Sequence, residues 1–437
     1  MVALGSLLFA SIFGSLMAAP FTWAASVALT GTPSSPIPPS IDPFYTIKFE
    51  EYCEKAPGII LRIRQAPGNL TTAVTNSSAA YNILFRTTDA NDEPSYAVTT
   101  LFIPSHNKSS TANPSSAFLL SHQIAYNTAN VDASPSYALY SMPSTADLGI
   151  PSIVDDFAVE LGKGWYLNVP DFEGPHASFG LGAQAGHATL DSVRAVLSSG
   201  LLPREVPVKY AMWGYSGGSI ASQWAAELQK SYAPEMSFAG VALGGIAPDL
   251  ISTVDNITGS PYAGLIPSLL LGSTSQDPDA RAYLKSRLHE TGPYNATAFL
   301  ATLKYNAMQA FAAFANQDIF DYLVGGRADI DAPILQRILK RNWYWGVRGV
   351  PQMPVFAYKA IHDQLSKVQD ADALVEKWCE AGVNLRYERN TVGGHIAEIT
   401  NGRGRAMDWL ESIFEGTAEV KGCVVQDVTI KLTDNTE

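Results

Sequence analysis

Residues 206–226 read VPVKYAMWGYSGGSIASQWAA, and no other stretch restricts the fold as much. The apolar, β-branched and aromatic run 206–213 predicts a buried strand. Beyond Gly218, residues Ile220, Trp224 and Leu228 recur at helical spacing on one face. Ser216 therefore sits on a strand-to-helix turn inside Gly214-Tyr215-Ser216-Gly217-Gly218. A G-x-S-x-G pattern says little by itself and becomes informative in this strand-turn-helix context. The sharp turn brings strand and helix backbones too close for side chains at the outer glycines. It exposes the serine hydroxyl and aims the Gly217 amide at the place where an oxyanion would form. An ordinary Gly/Ser turn is the plain alternative, and the flanking elements argue against it.

The rest of the chain alternates strand-like and helix-like segments around this unit. Residues 81–88 and 97–103 read as an early antiparallel pair with a turn at 89–94. Short apolar strands follow at 117–120 and 165–169. A glycine-rich loop at 178–186 leads into a helix at 188–197, and 238–243 continues the rhythm after the nucleophile helix. Such alternation predicts crossover connections and a mainly parallel sheet. From 248 to 350 the rhythm breaks into helix-like segments, including the apolar run 266–271 and a dense aromatic and aliphatic stretch at 305–323. An independent helical domain is one reading; its position between two sheet strands favours a cap over the catalytic face. Residues 353–358 resume the sheet, followed by a helix at 371–381, a short strand at 384–387, a loop at 391–395 and a closing helix at 404–414. The organisation expected is a core in two parts, 44–247 and 351–437, with the cap inserted as 248–350.

A serine hydroxyl needs a base within hydrogen-bond reach and a third group to orient that base. In an α/β-hydrolase the order along the chain is Ser, then Asp or Glu, then His. Of seven histidines, only His289, His362 and His395 follow Ser216. His289 falls in the helical insertion and His362 directly precedes the candidate acid, which leaves His395 as the base. Asp363 is the acid, because it follows strand 353–358 on the sheet edge where the serine also emerges. Asp370 and Asp372 are alternatives whose place at a helix start is explained by N-capping. A second oxyanion donor is expected from the loop at 121–128, where the Asn127 side-chain amide and the Thr128 hydroxyl are both candidates.

Composition bounds the partners. A net charge of −12 and only 16% charged residues offer no basic face for nucleic acid or an anionic membrane. Residues 1–24, an apolar run ending in small residues, read as a secretory signal, with a Pro/Ser/Thr-rich linker to 43. Sequons at Asn69, Asn76, Asn107, Asn256 and Asn295 fit a secreted glycoprotein. Of three cysteines, Cys379 and Cys423 are placed to staple the C-terminal region, and Cys53 is left as a buried, inert thiol.

DPFYT at 42–46, RTT at 86–88, SPSY at 134–137, GYSGG at 214–218, SYAPE at 231–235 and the surroundings of Asp363 and His395 resemble the fungal secretory lipase family over residues 42–423. The resemblance implies an α/β-hydrolase with a helical cap, a Ser-Asp-His triad and no cofactor. It further implies hydrolysis of acylglycerols and related esters through an acyl-enzyme, with a lipid–water interface as a possible partner. Esterase or acyltransferase action on shorter or bulkier acyl esters is the alternative. Cys379 and Cys423 resemble a family disulfide. The family can use an aspartate as oxyanion donor where Asn127 or Thr128 stands here, and the tail beyond Cys423 is short.

Overall fold

The computed structural model describes residues 30–105, 116–141, 153–418 and 421–430. Residues 1–24, read above as a secretory signal, the first part of the expected linker, the Asn107 sequon and the last seven residues lie outside them.

Among the described residues the scaffold is one ten-stranded sheet. Its strands are β1 (Ile60–Gln65), β2 (Ser77–Thr88), β3 (Pro94–Pro104), β4 (Ala117–Gln123), β5 (Tyr166–Pro170), β6 (Val208–Tyr215), β7 (Val241–Gly244), β8 (Val355–Ala360), β9 (Leu385–Asn390) and β10 (Cys423–Val428). They lie in the order β1-β2-β3-β5-β4-β6-β7-β8-β9-β10. The pairs from β1 to β5 across β2 and β3 are antiparallel, and all pairs from β5 to β10 are parallel. Parallel strands need both faces covered, and the residues show it. On β6, Met212 joins one apolar core while Ala211 and Trp213 join the other. On β8, Val355 and Ala357 take the first side and Phe356 and Tyr358 the second. This period of two follows from the alternating Cβ directions of a strand.

Thirteen α-helices occur among the described residues: α1 (Leu70–Ala73), α2 (Pro135–Ala138), α3 (Ile153–Gly162), α4 (Gly182–Ser198), α5 (Gly217–Tyr232), α6 (Leu250–Ile257), α7 (Leu265–Ser273), α8 (Pro278–Ser286), α9 (Ala296–Leu300), α10 (Ala307–Phe314), α11 (Pro333–Asn342), α12 (Val368–Glu380) and α13 (His395–Glu415). Helices α4 and α5 carry the first core, and α3 and α13 the second. The fold is that of an α/β-hydrolase. All of α6 to α11 fall between β7 and β8, so the sheet is interrupted there once and then resumed.

Two helices begin well before the sequence suggests, for one physical reason. Helix α4 starts at Gly182 and not near Ala188, and α13 starts at His395 and not near Gly404. Glycine ordinarily weakens a helix, yet here it permits close packing. A Cβ on Gly182 would overlap the Trp224 indole, and one on Gly402 would overlap the Tyr358 ring. The stretch 305–323 is no single helix: Asn306 caps α10, which ends at Phe314, and a 3₁₀ turn covers Ile319–Tyr322. Strands β1 and β10 lie at the two edges of the sheet. A disulfide joins Cys379 of α12 to Cys423 of β10 and ties that edge strand to the body; Cys53 is a free thiol and half-buried.

Candidate active site

Ser216 has φ 53° and ψ −122°, a conformation that costs a non-glycine residue about 1–3 kcal/mol and has to be enforced by its surroundings. Three constraints enforce it. The Ser216 amide donates to the Gly244 carbonyl of β7 at 2.9 Å, which prolongs the sheet one residue past β6. Beyond the turn, the amides of Ser219 and Ile220 donate to the Ser216 carbonyl as α5 opens. A Cβ on Gly214 would overlap the Gly218 carbonyl, and one on Gly218 the Gln123 carbonyl of β4. The elbow therefore closes only with glycines on either side of the serine.

His395, the first residue of α13, is brought to this elbow from a point 179 residues away in sequence. The Ser216 hydroxyl lies 2.8 Å from His395 Nε2, and Asp363 Oδ2 lies 2.7 Å from Nδ1. With the proton on Nδ1, the imidazole donates to the carboxylate and accepts from the serine. The ring is also held through its backbone. The His395 amide donates to Gln364 Oε1 at 2.8 Å, and its carbonyl accepts from the Tyr215 hydroxyl at 2.6 Å. Asp363 Oδ1 accepts the amides of Leu365 and Ser366. Burial by itself would push the Asp363 carboxyl up. The His395 ring and the Lys359 ammonium outweigh it and hold the carboxyl well below the ordinary value. The alternative acids lie elsewhere: Asp372 bonds Arg389, and Asp370 sits in the first turn of α12.

The loop after β4 brings Asn127 against the elbow. Asn127 is in the left-handed region at φ 46°, and its Oδ1 would overlap any Cβ on Gly217. That oxygen is buried without a hydrogen-bond partner. Turning the amide over places the Nδ2 donor in the same position against Gly217. Thr128 faces elsewhere: its hydroxyl donates to the Tyr305 carbonyl at 2.7 Å and accepts from the Asn130 amide at 3.0 Å. Its one proton is thus committed to the α6–α11 insertion. The same insertion touches the site again where Tyr262 accepts from Gln364 Nε2 at 2.9 Å, and where Asn256 Nδ2 donates to the Gln364 and Leu365 carbonyls.

Sequence patterns pass over Gln364 and Lys359, which complete this arrangement. Gln364 has no signal beyond its place next to Asp363. Lys359 has one, since a charged residue stands inside the otherwise apolar strand VFAYKA.

The Secretory lipase family model matches residues 151–422. This chain belongs to that family. Its relatives include a probable trichothecene esterase, SAT6, of Stachybotrys chartarum, 45% identical over 91% of this chain and 81% of the relative. The trichothecene C-3 esterase of Fusarium sporotrichioides is 43% identical over 92% and 90% of the two chains, and Lipase A of Arthroderma benhamiae 34% identical over 91% and 84%. Among solved structures, Candida antarctica lipase A superposes with a TM-score of 0.78 at 25% identity, covering 91% of each chain. As a member of this family the protein is a carboxylic ester hydrolase, with esters as its substrates.

Proposed function

We propose that the protein is a secreted serine esterase whose acyl-enzyme forms on Ser216, and that its substrates are esters at a hydroxyl of a trichothecene-like alcohol. The observation that carries the catalytic part is the unbroken relay Ser216 Oγ, His395 Nε2, His395 Nδ1, Asp363 Oδ2, with both bonds below 3 Å. Ser216 Oγ attacks the ester carbonyl carbon as its proton passes to His395. The Gly217 amide and Asn127 Nδ2 take the developing oxyanion. Collapse of the tetrahedral adduct expels the alcohol, which leaves with the proton from His395. Water then repeats the sequence on the acyl-enzyme: it gives its proton to His395, and the acid departs as Ser216 recovers it.

The choice of esterase over acylglycerol lipase rests on likeness. The two trichothecene esterases share 45% and 43% of their aligned residues with this chain, against 34% for Lipase A. Lipase action is the second reading, supported by the lipase A fold and by the α6–α11 insertion. We assign that insertion as a cap over the catalytic face, because Tyr305, Tyr262 and Asn256 bond the β4 loop and the Asp363 loop. Initial rates on a trichothecene carrying a C-3 ester, on a short-chain triacylglycerol and on a long-chain one decide between them. The proposal predicts the highest kcat/KM on the trichothecene ester and little turnover of the long-chain substrate. Preferential long-chain hydrolysis would reverse the order.

A further inference from the structure

Lys359 is wholly buried on β8, one residue before the strand ends, on the same face as Val355 and Ala357. Its ammonium donates to Asp363 Oδ2 at 2.6 Å and to the Ile246 carbonyl at 3.0 Å. The same Oδ2 accepts the His395 Nδ1 proton at 2.7 Å. One carboxylate oxygen is thus shared between a lysine cation and the base of the relay. Asp363 accepts four hydrogen bonds in all, which fills its lone-pair sites.

We propose that Lys359 is a positioning residue of the relay, a buried cation that pins the Asp363 carboxylate and cancels its charge so that His395 stays available as a base. The inference rests on Ser216, His395 and Asp363 acting as proposed above. A serine-histidine-carboxylate relay is usually pictured with an uncompensated carboxylate, which orients the imidazole but also favours its protonation. The two needs conflict on the acid side, because a protonated imidazole cannot accept the serine proton. Here the ammonium bonds the very atom that the imidazole bonds. It holds the carboxylate's rotation through a short, charge-assisted contact while opposing the charge that would protonate the ring.

The other charges nearby support a charged lysine. The carboxylates of Asp370 and Asp372 on α12 act on it through their charge without bonding it, and each keeps one buried oxygen without a hydrogen-bond partner. Asp372 is also bonded to Arg389 of β9. Burial holds the Lys359 amine below its ordinary value; Asp363 opposes that most strongly, then Asp370 and Asp372. Tyr215 of β6 and Tyr387 of β9 complete the surroundings, and burial pushes both hydroxyls up, so they stay neutral.

The experiment measures how the rate of phosphonate labelling of Ser216 depends on pH, read by peptide mass spectrometry, in wild type, Lys359→Met and Lys359→Gln. The acid limb is expected to move up by about one pH unit in both variants, because both lose the cation. Lys359→Met, which also loses the hydrogen bond, should label more slowly on the plateau than Lys359→Gln. A merely structural lysine would slow labelling at every pH and leave the limb in place, and that result overturns the proposal. Should neither single variant fold, Lys359→Arg keeps a buried cation beside Asp363 Oδ2. Its acid limb should stay at the wild-type position, and a limb that moves up in Lys359→Arg as well would overturn the proposal. Wild type labelled somewhere other than Ser216 would refute the relay itself, a separate failure.

Discussion

Asp363→Asn tests the relay at the point where the structure loads it most heavily. The carboxylate accepts two backbone amides on Oδ1 and the Lys359 and His395 donors on Oδ2. An amide side chain accepts on its oxygen only, and its NH2 hydrogens would meet two groups that are themselves donors. With the oxygen kept on the backbone amides, the NH2 faces His395 and drives the proton from Nδ1 to Nε2. The ring can then no longer accept the Ser216 proton. A wrong tautomer of this kind lowers kcat by about 10⁴-fold, with little change in KM because no group contacting the ester is removed. Lys359, buried and without its counter-charge, adds a destabilisation of about 3–5 kcal/mol. The pH dependence has a definite sign. A carboxylate held below its unfolded value stabilises the fold above about pH 4, and that contribution is lost as pH falls through the folded value. Wild type and variant should therefore differ most near neutrality and converge in strong acid. Steady-state kinetics on a short-chain ester and denaturant unfolding at pH 7 and pH 3 read both effects. A variant that keeps more than a tenth of wild-type kcat would remove Asp363 from the relay.

Three further outcomes are expected. Asn127→Ala should lower kcat by about 10²–10³-fold with KM nearly unchanged, as for loss of one oxyanion donor, whereas Thr128→Val should cost far less because its hydroxyl serves the Tyr305 carbonyl. Burial raises the Asp171 carboxyl to about 7 despite two bonds from Ser136. Its folded form thus holds a proton that the unfolded chain releases above about pH 4. Wild-type stability should fall as pH rises across that window, and Asp171→Asn should flatten the fall, as unfolding at pH 5 and pH 8 would reveal. Gly402→Ala forces a methyl into the Tyr358 ring and should destabilise by about 1–3 kcal/mol, visible as a lower melting temperature.

Much of the architecture follows from periodicity and chain order. Strand β6 with α5, the antiparallel β2 and β3, and the parallel strands β7 and β8 are written in runs whose apolar residues face two cores. The structure brings Ser216, His395 and Asp363 together, although nothing local in sequence joins residues so far apart. What pattern reading misses has physical causes. The early starts of α4 and α13 are hidden by Gly182, Gly186 and Gly402, since close packing of a helix onto Trp224 or Tyr358 leaves the same glycines as a loop does. Strand β10, CVVQDV, is an exposed edge strand, so burial imposes no strict alternation on it. The choice between Asn127 and Thr128 depends on where one hydroxyl proton goes, and only the position of the Tyr305 carbonyl decides that. Lys359 was visible as a charge within an apolar strand, but its partner four residues on becomes apparent only when β8 turns into the Asp363 loop.

The central claim is that ester hydrolysis proceeds through Ser216. Its most direct measurement is to trap the enzyme during turnover of an activated ester, identify the acylated peptide by mass spectrometry, and repeat the assay with folded Ser216→Ala. The account predicts one acyl group per chain on Ser216 and no turnover above background in the variant. Acylation at another residue, or hydrolysis that survives in Ser216→Ala, would contradict it.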